Sequence, residues 1–318
     1  MGGVLNCRTV VILVNFKGAQ DTAACLRSLH ASNVVLRIVV VDNTPYDPEL
    51  PDVIAEYPDV HLICAPDNLG FGGGNNLGIN WAMSQTDCEF LFIFNNDATV
   101  EPNTITKLEV SLDNHPEAGM VTPRIVFMGN PKMLWYGGGE VDWLRGAAIT
   151  PGVLGASNAP LALQARNVSF ASGCAMLIRR NLMAQLGGFD ERFFMYEEDL
   201  ELCLRTQELG WKIRYEPGAL VLHVVQASSR GEQGFVGMLS PLNQNLPFYA
   251  YHLVRNRLIN MHLHAKGLNR LIFIVGFSLL LLKKSLHFVL HQRWDGIAAI
   301  FKGWRSYREC LLLNFHKV

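Results

Sequence analysis

The sequence predicts an α/β protein, a mostly parallel sheet flanked by helices, followed by a helical C-terminal extension. Three observations carry this. Short runs rich in β-branched residues alternate with helical patterns over the first 125 residues. Those runs are apolar throughout rather than at every second position, the pattern of strands buried on both faces. Beyond Pro247 the strand pattern stops and the chain reads as helices.

In order, Val10–Phe16 reads as a strand and Asp21–Ser32 as a helix with Ala24, Leu26 and Leu29 toward the core. Arg37–Asp42 is the next strand, Thr44–Pro51 a Pro-rich turn, and His61–Cys64 a third strand. A Gly/Asn loop is expected at Asn68–Asn76, then a helix to about Met83, a strand at Glu89–Asn95 and a helix from Pro102 to about Asn114. From about 120 to 180 the pattern loosens into short strands. Order returns with Gly173–Arg180, a helix starting near Glu198, and a strand pair, Lys212–Tyr215 and Ala219–His223. Residues 226–246, rich in Ser, Gly, Gln and Asn, read as a mobile loop. The expected division is a domain over 1–246, with halves of about 1–125 and 126–246, and a helical tail over 247–318.

Apolar residues make up 49% of the chain and charged residues 17%, which excludes a disordered protein. The net charge of −1 gives no footprint for nucleic acid, and none is expected as a partner. That average hides an asymmetry. Residues 250–318 hold eleven Lys and Arg against two acids, a net of +9, while the remainder holds sixteen against twenty-six, a net of −10. A basic tail on an acidic body points to a polyanionic surface as the tail's partner. Seven cysteines without a C-x-x-C pair indicate neither a zinc ribbon nor a disulfide framework. The first apolar run is too short for a secretory signal, so a reducing cytoplasm is the expected compartment.

In an open parallel sheet, ligands collect beyond the carboxyl ends of the strands. Polar residues fall at three such ends: Asp42-Asn43, Asn68, and Asn95-Asn96-Asp97. Each alone also fits an ordinary strand-ending turn; their coincidence on one rim favours a site. The run Asn68-Leu-Gly-Phe-Gly-Gly-Gly-Asn-Asn76 leads into a helix, where glycines let the backbone approach a ligand and the helix N-terminus favours a diphosphate. It matches neither the Walker A loop nor G-x-G-x-x-G, since Asn75 stands at the sixth position of the latter. Asp97 follows the apolar run Phe90–Phe94 and suits a hard cation shared with substrate phosphates; it equally suits the start of a helix. In Phe193-Phe-Met-Tyr-Glu-Glu-Asp-Leu-Glu201, aromatic residues precede a carboxylate cluster, the setting that raises a carboxylate toward a general base's range. Glu197 and Glu201 read as helix-terminal and structural charges.

Four motifs in order, Val-Val-Asp-Asn43, Asn-Leu-Gly-Phe-Gly-Gly-Gly-Asn75, Phe-Asn-Asn-Asp97 and Phe-Phe-Met-Tyr-Glu-Glu-Asp199, with a looser Leu-Val-Leu-His223, span about residues 10–230. Together they resemble the inverting family 2 glycosyltransferases, in particular the bacterial rhamnosyltransferase-like branch. The resemblance implies a GT-A-type, Rossmann-like fold and transfer of a sugar from a nucleotide diphosphate donor to an acceptor hydroxyl. It implies that Asp199, with Glu198 beside it, supplies the base, and that Asp42 meets a uracil or thymine ring. Asn15, Asn43, Asn68, Gly70, Phe71, Gly72, Asn75, Asn96 and Gly173 then fall in the donor-binding set. Asn95-x-Asp97 resembles the family's D-x-D metal site with its first Asp replaced, so Mg²⁺ or Mn²⁺ would lean on Asp97, with His223 a further ligand. Arg205 is expected to pair with Glu198 or Glu201 rather than with the diphosphate. TDP-rhamnose is the leading donor; UDP-galactose, UDP-galactofuranose and UDP-glucose are the alternatives.

Two rival classes are weaker. A sugar nucleotidyltransferase would open with a Gly-rich basic loop after the first strand, where this chain has only Asn15-Phe-Lys-Gly-Ala19. A non-catalytic sugar- or lipid-binding module would have little use for both Asp97 and Asp199. In the tail, Leu271–Leu282 is twelve uncharged residues ended by Lys283-Lys284, shorter than the about twenty a spanning helix needs. It reads either as a buried core helix or as a segment lying on the anionic inner face of the cytoplasmic membrane. The second reading would bring a lipid-linked glycan acceptor to the enzyme.

Overall fold

The structure is a computed structural model that describes residues 7–44, 47–224, 230–231, 234–235 and 237–314. Its sheet begins with four apolar strands: β1 (Thr9–Asn15), β2 (Leu36–Asp42), β3 (Val60–Cys64) and β4 (Phe90–Asn95). They lie parallel in the order β3-β2-β1-β4. Val10–Leu13, Ile38–Val41 and Phe90–Phe94 are buried, as the continuous apolar runs require. Three helices link these strands: α1 (Ala19–His30), α2 (Leu50–Ala55) and α3 (Gly70–Gln85). The chain builds outward from β1 to β3 and then returns to the far side of β1 as β4. That reversal opens a crevice at the carboxyl ends of β1 and β4, where open α/β sheets take their ligands.

Past β4 come β5 (Ala98–Val100), α4 (Thr104–Asp113), β6 (Ala118–Phe127), β7 (Asn130–Tyr136), β8 (Glu140–Asp142), β9 (Ala147–Ile149), β10 (Arg166–Val168) and β11 (Ala175–Arg179). They are followed by α5 (Arg180–Leu186), α6 (Glu198–Glu208) and β12 (Lys212–His223). β11 runs antiparallel between β4 and β6, and β12 lies parallel to β6, giving the order β10-β12-β6-β11-β4-β1-β2-β3. β5 adds antiparallel to β12, and this places the segment after Asn95 against the end of β12.

Several expectations change. Ala24 faces solvent, and Cys25 takes its place in the core with Leu26 and Leu29. Of the expected turn over Thr44–Pro51, residues 45–46 lie outside the described residues, and its last two residues belong to α2, with Pro51 in the first turn, where a missing N–H costs nothing. The glycines of Asn68–Asn76 are not a loop: α3 starts at Gly70 and includes them. Propensity argues against glycine there, but close packing requires it. A Cβ on Gly74 would lie 2.9 Å from Val14 Cγ1, and one on Gly78 2.5 Å from Ile12 Cγ2. The pair Lys212–Tyr215 and Ala219–His223 is one strand, with a register irregularity at Glu216/Leu220 that accommodates Pro217-Gly218. The weakly patterned region after 120 contains β6, ten residues in the interior of the sheet.

The chain forms two compact units. One comprises Met1–Glu140, Ile149–Phe194 and Glu198–Val225; the other comprises Val141–Ala148, Met195–Glu197 and Gln226–Val318. The expected loop over 226–246 falls partly outside the described residues; within it β13 (Arg230–Gly231) pairs with β14 (Gly234–Phe235). The second unit is built from α7 (Leu246–His264), α8 (Gly267–Leu290) and α9 (Trp294–Asn314). Helix α9 approaches α7 closely at Gly303, where a Cβ would lie 2.7 Å from the Tyr251 carbonyl oxygen. Helix α8 turns Phe273, Phe277 and Phe288 inward and leaves Leu271, Val275, Leu279, Leu282 and Leu286 exposed. It is therefore not a buried core helix. At 24 residues it is also longer than the apolar dodecamer suggested, and by length and composition it suffices to cross a membrane.

Candidate active site

The rim of the parallel strands is tied together by side-chain amides and carboxylates. Asn15 pairs with Asp42 across β1 and β2 and is fully buried. Its Nδ2 donates to Asp47 Oδ2 at 2.9 Å and Asp42 Oδ1 at 3.4 Å; its Oδ1 accepts from Gly18 N and Thr22 Oγ1. Asn96 joins this network, its Nδ2 donating to Thr22 Oγ1 at 2.9 Å and Asn15 Oδ1 at 3.3 Å. Both asparagines thus brace the crevice from below. The Asp42 carboxylate is buried and accepts the backbone N–H groups of Thr44 and Asp47. Asn43 reaches across to the next connection: its Nδ2 donates to the Gly70 carbonyl at 2.9 Å, and its Oδ1 accepts from Leu69 N at 3.0 Å. Asn68 Oδ1 accepts from Gly70 N at 3.0 Å, closing the turn into α3.

Gly70 is one position where glycine is obligatory. Its φ is +73°, and a Cβ would fall 1.9 Å from the Phe194 carbonyl oxygen. The N–H of Phe71 donates to that same oxygen at 3.0 Å, so the start of α3 is docked on the segment leading to the carboxylate cluster. Gly72 lies under Phe189, whose ring meets Phe71 edge-on at 5.7 Å. Asn75 is buried, and its Nδ2 donates back to the Phe71 carbonyl.

Asp199 sits in the first turn of α6, partly exposed, with Glu198 buried beside it. Its Oδ2 accepts the N–H of Gly173 at 3.1 Å and its Oδ1 that of Leu200 at 2.8 Å. Gly173 is a junction: a Cβ there would lie 3.1 Å from the Phe71 ring and 3.4 Å from Asp199 Cβ. Arg205 pairs with Glu201, at 2.6 and 2.7 Å, and donates to the carbonyls of Leu186 and Gly188. It is a structural cation, as the sequence suggested.

Asp97 and His223 meet because β5 pairs with β12. Asp97 Oδ1 lies 3.0 Å from His223 Nε2, and Val224 N donates to the Asp97 carbonyl. Burial opposes charge on the His223 ring, but the Cys174 sulfur and the Asp97 carboxylate outweigh it and raise its pKa to about 10. Burial pushes the Cys174 thiol up while His223 pulls it back. All seven cysteines are free. Among the described residues no cluster of three or more His, Cys, Asp or Glu is arranged for a metal. One carboxylate and one imidazole still fit a divalent cation whose remaining ligands are phosphate oxygens and water.

Sequence reading missed Asp47, Asn76 and Trp135. Asp47 anchors Asn15. Asn76 exchanges two hydrogen bonds with the backbone of Phe189, 113 residues away, at 2.9 and 2.8 Å. Trp135 lies edge-on to His223 at 4.7 Å. No local pattern marks them, because each acts across long sequence separations.

Residues 7–233 match the model of the family described as glycosyltransferase like family 2. The chain is 29% identical over 233 residues to the N-acetylglucosaminyl-diphospho-decaprenol L-rhamnosyltransferase of Mycobacterium tuberculosis, covering 67% of this chain and 75% of that protein. It is 26% identical to the dTDP-rhamnosyl transferase RfbF of Shigella flexneri, covering 76% of each. With the low-salt glycan biosynthesis hexosyltransferase Agl10 of Haloferax volcanii it shares 27% identity, over 62% of this chain and 61% of the relative's length. Among solved structures, GalNAc-T7 with UDP, GalNAc and Mn²⁺ superposes with a TM-score of 0.61 at 16% identity, over 80% of this chain and 48% of that one. The mannosyltransferase of Pyrobaculum calidifontis with GDP-Man and Mn²⁺ gives 0.56 at 14%, over 96% and 88%. At such identities the structures speak for the GT-A-like fold alone. With a family model matching most of the chain, the protein belongs to glycosyltransferase family 2, among relatives that include rhamnosyltransferases.

Proposed function

We propose that the protein is an inverting, metal-dependent glycosyltransferase that moves rhamnose from TDP-rhamnose to a hydroxyl of a lipid-linked cell-surface glycan. The observation that carries this reading is the convergence at Gly173-Cys174. Gly173 holds the Asp199 carboxylate and underlies Phe71 at the start of α3, and Cys174 neighbours His223, the partner of Asp97. The donor segment, the base and the metal pair are thus assembled around two residues. The named activities of the Mycobacterium and Shigella relatives support rhamnose as the sugar.

Asp199 takes the proton of the acceptor hydroxyl. That oxygen attacks the anomeric carbon while the nucleoside diphosphate leaves from the opposite face, so the configuration inverts in one step. The Gly173 N–H keeps one carboxylate oxygen oriented. Asp42, Asn43 and Asn68 shape the pocket for the base and ribose, and the N-terminus of α3 favours the diphosphate. A divalent cation held by Asp97 and His223 would offset the charge growing on the departing diphosphate.

The tail supplies the acceptor's surface. Helix α8 is engaged by its own unit along its length. Phe273 lies against Gly146, Gly276 against Leu144, and Phe288 against Gly296. Lys284 Nζ donates to the Leu239 carbonyl at 3.1 Å. Crossing a bilayer would strip these contacts, whereas lying in the plane of one leaflet keeps them and buries the opposite leucine face. The net of +9 over residues 250–318 favours an anionic cytoplasmic leaflet.

A thermal-shift panel of TDP, UDP, GDP and ADP, each with and without Mn²⁺, tests the site. Stabilisation confined to TDP and UDP and enhanced by Mn²⁺ is expected, and Asp42→Ala should flatten the preference. A ligand at a hundred times its Kd contributes about 2.7 kcal/mol, well within detection. Equal shifts with all four nucleotides, or shifts indifferent to Mn²⁺, would refute the assignment.

A further inference from the structure

Two and three residues before the proposed base, the backbone is strained. Tyr196 and Glu197 have φ of 68° and 71°, a region that residues other than glycine rarely adopt and that Asn or Asp tolerates best. Elsewhere the chain meets the same need with glycine, as at Gly187 and Gly210, and with a side-chain-bearing residue only singly, at Lys17, Leu154 and Gln292 among the described residues. Here it uses side chains two helices further on to hold the conformation. Nδ2 of Asn256 donates to the Met195 carbonyl at 2.9 Å and to the Tyr196 carbonyl at 2.8 Å. One turn along α7, Nδ2 of Asn260 donates to the Glu197 carbonyl at 3.0 Å. Three consecutive carbonyls are therefore gripped by two amides on one face of one helix, and both asparagines are fully buried. Arg257, between them in sequence, donates to Glu197 Oε1 at 2.8 Å. Burial raises the Glu197 pKa and Arg257 opposes that.

The grip is more than local closure requires. A chain returning from Phe194 into α6 has many unstrained turns available, and strain persists only where its surroundings over-determine it. The next residue after this turn is Glu198, the first of α6, and then Asp199.

We propose that Asn256 and Asn260 are positioning residues for the transfer reaction. They hold Met195–Glu197 in its strained form and so hold the backbone that leads, one peptide bond on, into Glu198 and Asp199. This rests on Asp199 being the base. A displacement of about 1 Å at a reacting group can lower turnover by as much as about a hundredfold, so freeing the turn should affect kcat rather than donor binding.

The test uses the full chain carrying Asn256→Ala, Asn260→Ala, Asp199→Asn, and the double variant Asn256→Ala/Asp199→Asn. Hydrogen exchange over residues 193–202 needs no substrate. It should quicken in both asparagine variants while exchange in β1 and β4 stays unchanged. Unaltered exchange in that segment would overturn the grip. Release of TDP from TDP-rhamnose, with an N-acetylglucosaminyl-diphospho lipid as acceptor, gives the kinetic arm. Asn256→Ala should lower kcat about ten- to a hundredfold with the donor KM unchanged, and the double variant should be no slower than Asp199→Asn alone. Additive losses, or a kcat within twofold of the parent despite quicker exchange, would overturn the positioning role. Full activity in Asp199→Asn would instead remove the base assignment, an outcome read independently of the asparagine variants.

Discussion

His223 Nε2 lies 3.0 Å from Asp97 Oδ1 although 126 residues separate them in the chain. The antiparallel pairing of β5 with β12, in which His223 stands opposite Ala98, creates the contact. The pair is mostly buried, with side-chain exposures of 8% and 12%. If it holds the cation, His223→Ala and Asp97→Asn should each abolish the Mn²⁺-dependent part of the TDP thermal shift. The double variant should lose no more than either single one. An increment from Mn²⁺ that survives in Asp97→Asn would dissociate the pair from the metal.

Asp199→Asn keeps one oxygen that can accept from Gly173 or from Leu200, loses the other of these two bonds, and cannot take a proton. General base action is typically worth about a hundred- to ten-thousand-fold in rate. A kcat loss in that range is expected, with melting temperature and nucleotide binding retained, measured by TDP release and thermal shift on the same preparation.

Gly78 sets two effects against each other. Alanine is favoured over glycine in a helix interior by about 1 kcal/mol. Against this, the new methyl would lie 2.5 Å from Ile12 Cγ2, on a fully buried strand residue with no free space to yield. Overpacking of this kind typically costs about 1–3 kcal/mol. Gly78→Ala should therefore lower stability by about 0–2 kcal/mol in urea unfolding, and a gain would show that β1 gives way.

His252 provides a pH dependence with a definite sign. Burial, with Arg255 adding to it, holds its pKa down to about 4, against about 6.5 for an unperturbed imidazole. The neutral ring is favoured in the folded state, so the unfolded chain binds more protons below about pH 6.5. This contribution to stability is complete above that pH and is lost as the pH falls toward 4. His252→Gln should flatten the melting temperature between those values; an unchanged acid slope would place its origin elsewhere.

On α8, Leu279 and Leu286 are exposed apolar side chains, 62% and 58% accessible. Withdrawing each from water into lipid is worth roughly 1.5–3 kcal/mol. Leu279→Asp with Leu286→Asp should reduce co-flotation with phosphatidylglycerol vesicles at least tenfold while soluble nucleotide binding persists. High salt should weaken the parent protein's binding, because the cationic contribution is screened. Binding that ignores both changes would remove the membrane reading of the tail.

Much was written locally in the chain. The apolar runs around Val10, Ile38 and Phe90 specify strands buried on both faces, and the polar residues that end them mark one rim, because strand ends are set by short-range composition. Asp42, Asn43, Asn68 and Asp97 could be singled out in this way, whereas Asp199 is marked by an acidic cluster after aromatic residues and by the family resemblance. Arg205 could be assigned to a carboxylate of its own helix, Glu198 or Glu201, and the structure selects Glu201, four residues back.

What the tertiary structure alone decided depends on pairing across long separations. Asn15 and Asn96 are bracing groups because α1 and the turn before α2 fold onto them. The glycines of α3 are helical because Val14 and Ile12 leave room for nothing larger. Gly173 joins Phe71 to Asp199, and Asn256 with Asn260 clamps the turn before α6, through contacts 26 to 102 and 60 to 63 residues apart in sequence. Sequence by itself determines the local rules, the periodicity, propensity and turn chemistry that apply within about a helical turn. Which carboxylate meets which histidine is settled only when burial of the apolar strands fixes the sheet order, because that single event sets every distant register at once.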